Sequence, residues 1–116
     1  MTRVLLVDDE KDLADLLANQ LARAGFEVRC ADGLLTAQAA CQQEQFDVLV
    51  TDLHLPDGDG VEVARSLKIP VFLGVTGSTD AAESQRMISE GFAAVLTKPL
   101  TTRQLVAAIN EALARA

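Results

Sequence analysis

Short apolar runs alternate with segments of helical spacing from one end of this chain to the other, and that alternation restricts its fold more than any other property. Residues 3–7 form an apolar run that closes on acids, as a strand buried on both faces should. Residues 11–24 follow with Leu13, Leu16, Leu17 and Leu21 at helical spacing, and Gly25 stands where a helix end wants a left-handed residue. The pattern then predicts strands at 27–30, 47–51, 70–75 and 93–96, and helices at 34–44, 61–67, 80–90 and 102–115. Parallel strands need crossover connections, and these are right-handed. The expected fold class is therefore α/β: one three-layer, doubly wound, five-stranded parallel sheet over residues 1–116 as a single domain.

Bulk properties remove several function classes. Ten Lys and Arg stand against seventeen Asp and Glu, a net charge of −7 without a basic cluster, so a nucleic-acid backbone would be repelled. No stretch approaches the roughly 20 apolar residues of a membrane span, and the apolar start is too short for a signal peptide, so a cytoplasmic location is expected. Cys30 and Cys41 are neither paired in a CxxC nor grouped with histidine, the only one being His54, which argues against structural zinc and a disulfide framework. Both are read as small core or near-core residues, Met87 as part of a helix stripe, and Leu13, Leu16 and Leu17 mainly as core.

In doubly wound sheets, ligands bind outside the carboxyl ends of the strands. The residues following the strands are Asp8 and Asp9 after the first, Asp52 after the third, Thr76 after the fourth and Lys98 after the fifth. The second strand supplies none, as suits a strand at the sheet edge. Three converging carboxylates would raise one another's pKa, so the set invites a hard divalent cation, Mg²⁺ (or Mn²⁺), together with the lysine. Asp52 is then placed to act as a nucleophile of aspartyl-phosphate chemistry. The cation and Lys98 would neutralise charge on the equatorial phosphoryl oxygens, and the Thr76 hydroxyl would reach one of them. Each residue alone has an ordinary explanation as loop acid, turn cap, surface lysine or strand end. Their coincidence at strand ends of one βα topology carries the reading.

Val-Asp-Asp-Glu at 7–10, Thr-Asp-Leu-His-Leu-Pro at 51–56, Gly60, Val-Thr-Gly at 75–77 and Thr-Lys-Pro at 97–99 resemble the receiver domains of two-component response regulators, over essentially the whole chain. The resemblance implies the flavodoxin-like strand order 2-1-3-4-5, with Asp52 as phosphoacceptor. It implies that Asp8, Asp9, Asp52 and the main-chain carbonyl of His54 hold Mg²⁺, that Thr76 is the switch residue, and that Lys98 is the cation, with a cis peptide before Pro99. Gly77 and Ser78 then belong to a switching loop, and His54 and Ser78 flank the site mouth. Receivers usually carry an aromatic residue three positions before the lysine, and here that residue is Val95. The implied donor is a histidine kinase or histidine phosphotransfer protein. The implied output runs through the surface of helix 4, strand 5 and helix 5 to an effector domain or protein. The module fits a stand-alone receiver, part of a larger regulator, or the receiver of a hybrid sensor kinase or phosphorelay. In each case it is a signalling domain that catalyses only its own phosphorylation and dephosphorylation.

The Asp57-Gly58-Asp59-Gly60 run reads as a turn. As a calcium loop it would put Leu55 at the first ligand and Ser66 at the bidentate glutamate, and as a dinucleotide fingerprint it has Val63 in place of the third glycine. Asp57-x-Asp59-x-Val61 is similar to the nucleophile motif of haloacid-dehalogenase-type phosphatases, a reading of another class. That motif should close an N-terminal hydrophobic strand and precede its acid pair, whereas Leu55-Pro56 comes before this one and Asp8-Asp9 lies upstream.

Overall fold

The computed structural model describes residues 1–116. Its elements are β1 (Arg3–Val7), α1 (Lys11–Arg23), β2 (Glu27–Ala31), α2 (Leu34–Gln43), β3 (Val48–Asp52), β4 (His54–Leu55), β5 (Gly58–Asp59), α3 (Gly60–Leu67), β6 (Val71–Thr76), α4 (Ala81–Ser89), β7 (Ala94–Thr97) and α5 (Thr102–Arg115). The main sheet is parallel throughout in the order β2-β1-β3-β6-β7, which is 2-1-3-4-5 when its five strands are counted alone. The expected fold class is thus present, with helices on both faces.

The period-2 geometry of β1 divides the core in two. Val4 and Leu6 join Ala14, Leu17 and Leu21 of α1 and Leu105, Ile109 and Ala112 of α5 on one face, while Leu5 and Val7 join Ala37, Ala40, Val63 and Met87 on the other. β3, in the centre, is buried along its whole length, as a parallel strand covered on both sides must be. No helix is long and apolar enough to cross a membrane.

Several expectations change in detail. Asp52 and Thr76 are the last residues of their strands and do not follow them, because the ladder continues to Asp52↔Val75 and Thr76↔Thr97. Pro70 lies outside β6, and Asp80 is not helical but caps α4, its side chain accepting from the Ala82 N–H at 2.9 Å. The run at 57–60 is not a single turn: Pro56 and Asp57 turn a small antiparallel hairpin, with His54 opposite Asp59 and Leu55 opposite Gly58, and Gly60 opens α3. Gly25 does turn left-handed, with φ 101°.

Two core assignments fail. Leu16 is 53% exposed: at 3.6 residues per turn it sits about 100° round the helix from Leu17, off the stripe that reaches the sheet. Cys30 is exposed, because β2 is an edge strand with one neighbour. Its Sγ lies 3.8 Å from the Ala14 carbonyl, and partial burial of the thiol, then the charges of Asp15 and Asp8, push its pKa up.

Candidate functional site

Four neighbouring strands of the sheet end at one rim, and that rim carries the charges. Asp8 follows β1, Asp52 ends β3, Thr76 ends β6 and Lys98 follows β7. Three of these residues, Asp8, Asp52 and Thr76, are buried, and with Thr51 they are the polar side chains of a mainly apolar interior. A polar group in such a place needs partners, and each has them.

Lys98 Nζ is the hub. It lies 3.0 Å from Asp52 Oδ2, 3.2 Å from Asp8 Oδ2 and 3.2 Å from Glu10 Oε1. The remaining carboxylate oxygens are taken by main chain: the Glu10 N–H donates to Asp8 Oδ1 at 2.9 Å, and the His54 N–H donates to Asp52 Oδ1 at 3.0 Å. Burial by itself would lower the Lys98 pKa, but the hydrogen bond and charge of Asp52, and then the charge of Asp8, outweigh it and hold the ammonium above the ordinary lysine range. Burial raises the Asp8 pKa against the opposing effects of the Glu10 N–H and of Lys98, with the charge of Asp52 adding to the rise. Glu10 as a third carboxylate on the lysine was not foreseen. The two residues are 88 positions apart, so the acid next to Asp8-Asp9 was the only available clue.

Asp8, Asp9 and Asp52 each offer one carboxylate oxygen, and these lie within 4.8 Å of one another. The donor set is all oxygen and anionic, and Lys98 leaves it short of full neutralisation. It therefore fits a hard divalent cation such as Mg²⁺. Asp9 is exposed, whereas Asp8 and Asp52 are buried, so the cluster is open on one side.

The main chain at Asp52 is fixed by what flanks it. The Leu53 N–H donates to the Val75 carbonyl and the Gly60 N–H to the Leu53 carbonyl, both at 3.0 Å. The Leu53 side chain lies between two glycines: a Cβ on Gly60 would come within 2.7 Å of Leu53 Cδ2, and one on Gly74 within 2.8 Å of the same atom. Gly60 is further hemmed by main chain, with Leu53 Cα at 3.1 Å and the Asp52 carbonyl at 3.2 Å from that point. From the hairpin turn, Asp57 reaches α2 and accepts the Leu34 N–H at 2.8 Å and the Leu35 N–H at 3.2 Å. Those two backbone donors hold its carboxyl below the ordinary aspartate value.

The other expected residues take looser positions. The Thr76 hydroxyl accepts the Ser78 N–H at 3.1 Å and lies 3.5 Å from Glu83 Oε1. The Ser78 hydroxyl accepts from Asp80, and Gly77 is exposed. His54, in β4, turns its side chain outward, with Nε2 3.2 Å from the same Glu83 oxygen. Val95 is half-buried and packs against the second face's core. Lys98 and Pro99 are joined by a cis peptide. Glu83 had no sequence signal, since an acid in the first turn of a helix is ordinary.

Solved structures agree with this arrangement of strands and helices. The chain is similar to the chemotaxis response regulator CheY4 of Vibrio cholerae, at 27% identity over 97% of this chain and 98% of that one, with a TM-score of 0.86. It is similar to a response regulator receiver domain protein of Clostridium thermocellum, at 27% identity over 99% and 96%, with a TM-score of 0.89. It is also similar to a response regulator protein of Burkholderia pseudomallei whose structure holds a phosphorylated aspartic acid, a calcium ion and citrate, at 26% identity over 100% of this chain and 76% of that one, with a TM-score of 0.82. A family model describing the response regulator receiver domain matches residues 4–110, and the chain belongs to that family of two-component signalling domains.

Proposed function

We propose that Asp52 accepts a phosphoryl group from a histidine kinase or histidine phosphotransfer protein, in the cytoplasm, with no direct contact to nucleic acid or membrane. The carrying observation is a buried carboxylate 3.0 Å from a lysine ammonium and within 4.8 Å of two further acids. A carboxylate oxygen of Asp52 attacks phosphorus, a P–O bond forms as the donor's P–N bond breaks, and the electron pair leaves with the imidazole. Asp8, Asp9 and Asp52, with the His54 main-chain carbonyl, would hold Mg²⁺ (or Mn²⁺). Bound there, the cation supplies charge neutralisation for the transferring phosphoryl oxygens. Lys98 would add to that neutralisation, and it holds Asp52 in position. The phosphorylated aspartic acid and calcium ion of the Burkholderia protein support this assignment.

The phosphoryl group then draws the Thr76 hydroxyl, and the loop of Gly77 and Ser78 shifts with it, altering the surface of α4, β7 and α5 that an effector reads. Val95 has a short branched side chain with one stiff torsion, so the aromatic half of such a switch is missing and the response stays small. Labelling with acetyl phosphate and Mg²⁺, followed by mass spectrometry, tests the site. One phosphoryl group is expected at Asp52, and none on the Asp52→Asn variant. Equal labelling of that variant would refute the assignment, and repeated turnover of a phosphate ester would favour a phosphatase built on Asp57 and Asp59.

A further inference from the structure

Glu83 lies between two residues that flank the rim, although it belongs to neither loop. Its Oε1 is 3.2 Å from His54 Nε2 and 3.5 Å from the Thr76 hydroxyl, so one oxygen faces both. The side chain is only 19% exposed. It projects from the first turn of α4, whose start is fixed by the Asp80 cap. Thr76 is fully buried and its hydroxyl already accepts the Ser78 N–H, so its proton needs an acceptor, and Glu83 is the one within reach.

We propose that Glu83 is a positioning residue that competes with the phosphoryl group for the Thr76 hydroxyl. A hydroxyl has one proton to donate, so the bond to Glu83 must be given up before the bond to a phosphoryl oxygen can form. The imidazole of His54 holds the competing carboxylate at the mouth. Release of Thr76 leaves the Glu83 carboxylate to His54 alone, and because Glu83 stands on α4, the exchange passes directly to that helix without an aromatic partner at position 95. The Thr76 to Glu83 contact is long, so the competition is weak and reversible, as a readily switched element requires.

This inference rests on the phosphoacceptor reading, and the test separates the two. Beryllofluoride with Mg²⁺ is titrated into the wild-type chain, Glu83→Ala, Thr76→Val and the double variant, with the apparent affinity read from backbone NMR shifts. Removing the competitor is expected to tighten binding by about 2- to 10-fold, the range of one hydrogen bond, and the gain is expected to vanish in the Thr76→Val background. If the same gain persists there, Glu83 acts only by its charge and the proposal is overturned. No gain, or weaker binding, in Glu83→Ala overturns it as well. If the wild-type chain fails to bind, the phosphoacceptor reading itself falls. Should Glu83→Ala melt early, Glu83→Gln serves in the same cycle: a neutral, weaker acceptor is expected to give a smaller gain that likewise requires Thr76.

Discussion

The two corners of the rim are built differently. At the acid–lysine corner, Asp8, Asp52 and Lys98 are held by contacts of 2.9–3.2 Å, with main chain closing the remaining carboxylate oxygens. At the threonine corner, the hydroxyl has one backbone donor and a 3.5 Å neighbour, beside an exposed Gly77 and an outward-facing His54. The first corner is preorganised, so charge on a transferring group meets fixed partners without reorganisation. The second has little to lose by rearranging, and that is the condition for a switch driven by a few differential contacts. On the proposed reading, chemistry and response are thus divided between neighbouring strand ends.

Three measurements bear on that division. The largest effect should come from Lys98→Ala, which removes the cation from three carboxylates at once. The initial rate of acetyl phosphate labelling is expected to fall by about 10²- to 10³-fold, and a fall of less than tenfold would show that the lysine is not part of the fixed corner. Next is the proposed cation. A cation that binds the folded acid cluster and not the unfolded chain stabilises the fold, so saturating Mg²⁺ is expected to raise the Tm of the unphosphorylated protein by about 4 °C or more. Asp9→Ala should abolish the shift, and a variant that keeps it in full would move the metal elsewhere.

The smallest effect is the response of the second corner. Backbone NMR shifts on adding beryllofluoride and Mg²⁺ are expected to concentrate, beyond the acid cluster, in residues 76–80, and those changes are expected to be lost in Thr76→Ala. Large changes centred on Val95 that survive Thr76→Ala would mean that the two corners are coupled through the strand, and the contrast would dissolve.

How much of this was legible follows from which forces are periodic. The five βα units were readable because each strand in a covered parallel sheet must be apolar and each helix must show a stripe. Asp8, Asp9, Asp52, Thr76 and Lys98 were readable as strand-end residues for the same reason. What escaped depends on partners distant in sequence. Glu10 meets Lys98, Asp57 meets the start of α2, and Glu83 meets Thr76 and His54, and none of these pairs leaves a period. The hairpin of β4 and β5 has two residues per strand, too few for an alternation to show. Leu16 misled because four leucines on one helix look like one stripe until their angles are counted.

The seating of Leu53 between Gly60 and Gly74 has a consequence for how this chain can vary. Positions 60 and 74 lie on different elements, α3 and β6, yet both are shaped by the same methyl group. An alanine at 74 meets that methyl and also Phe92 Cδ2, at 3.3 Å; a shorter residue at 53 relieves the first contact and leaves the second. An alanine at 60 is a harsher change, because it also meets the Leu53 Cα and the Asp52 carbonyl, which trimming a side chain does not move. The size of residue 53 and the tolerance of position 74 are therefore coupled, while a side chain at position 60 also asks the backbone carrying Asp52 to shift by a few tenths of an ångström.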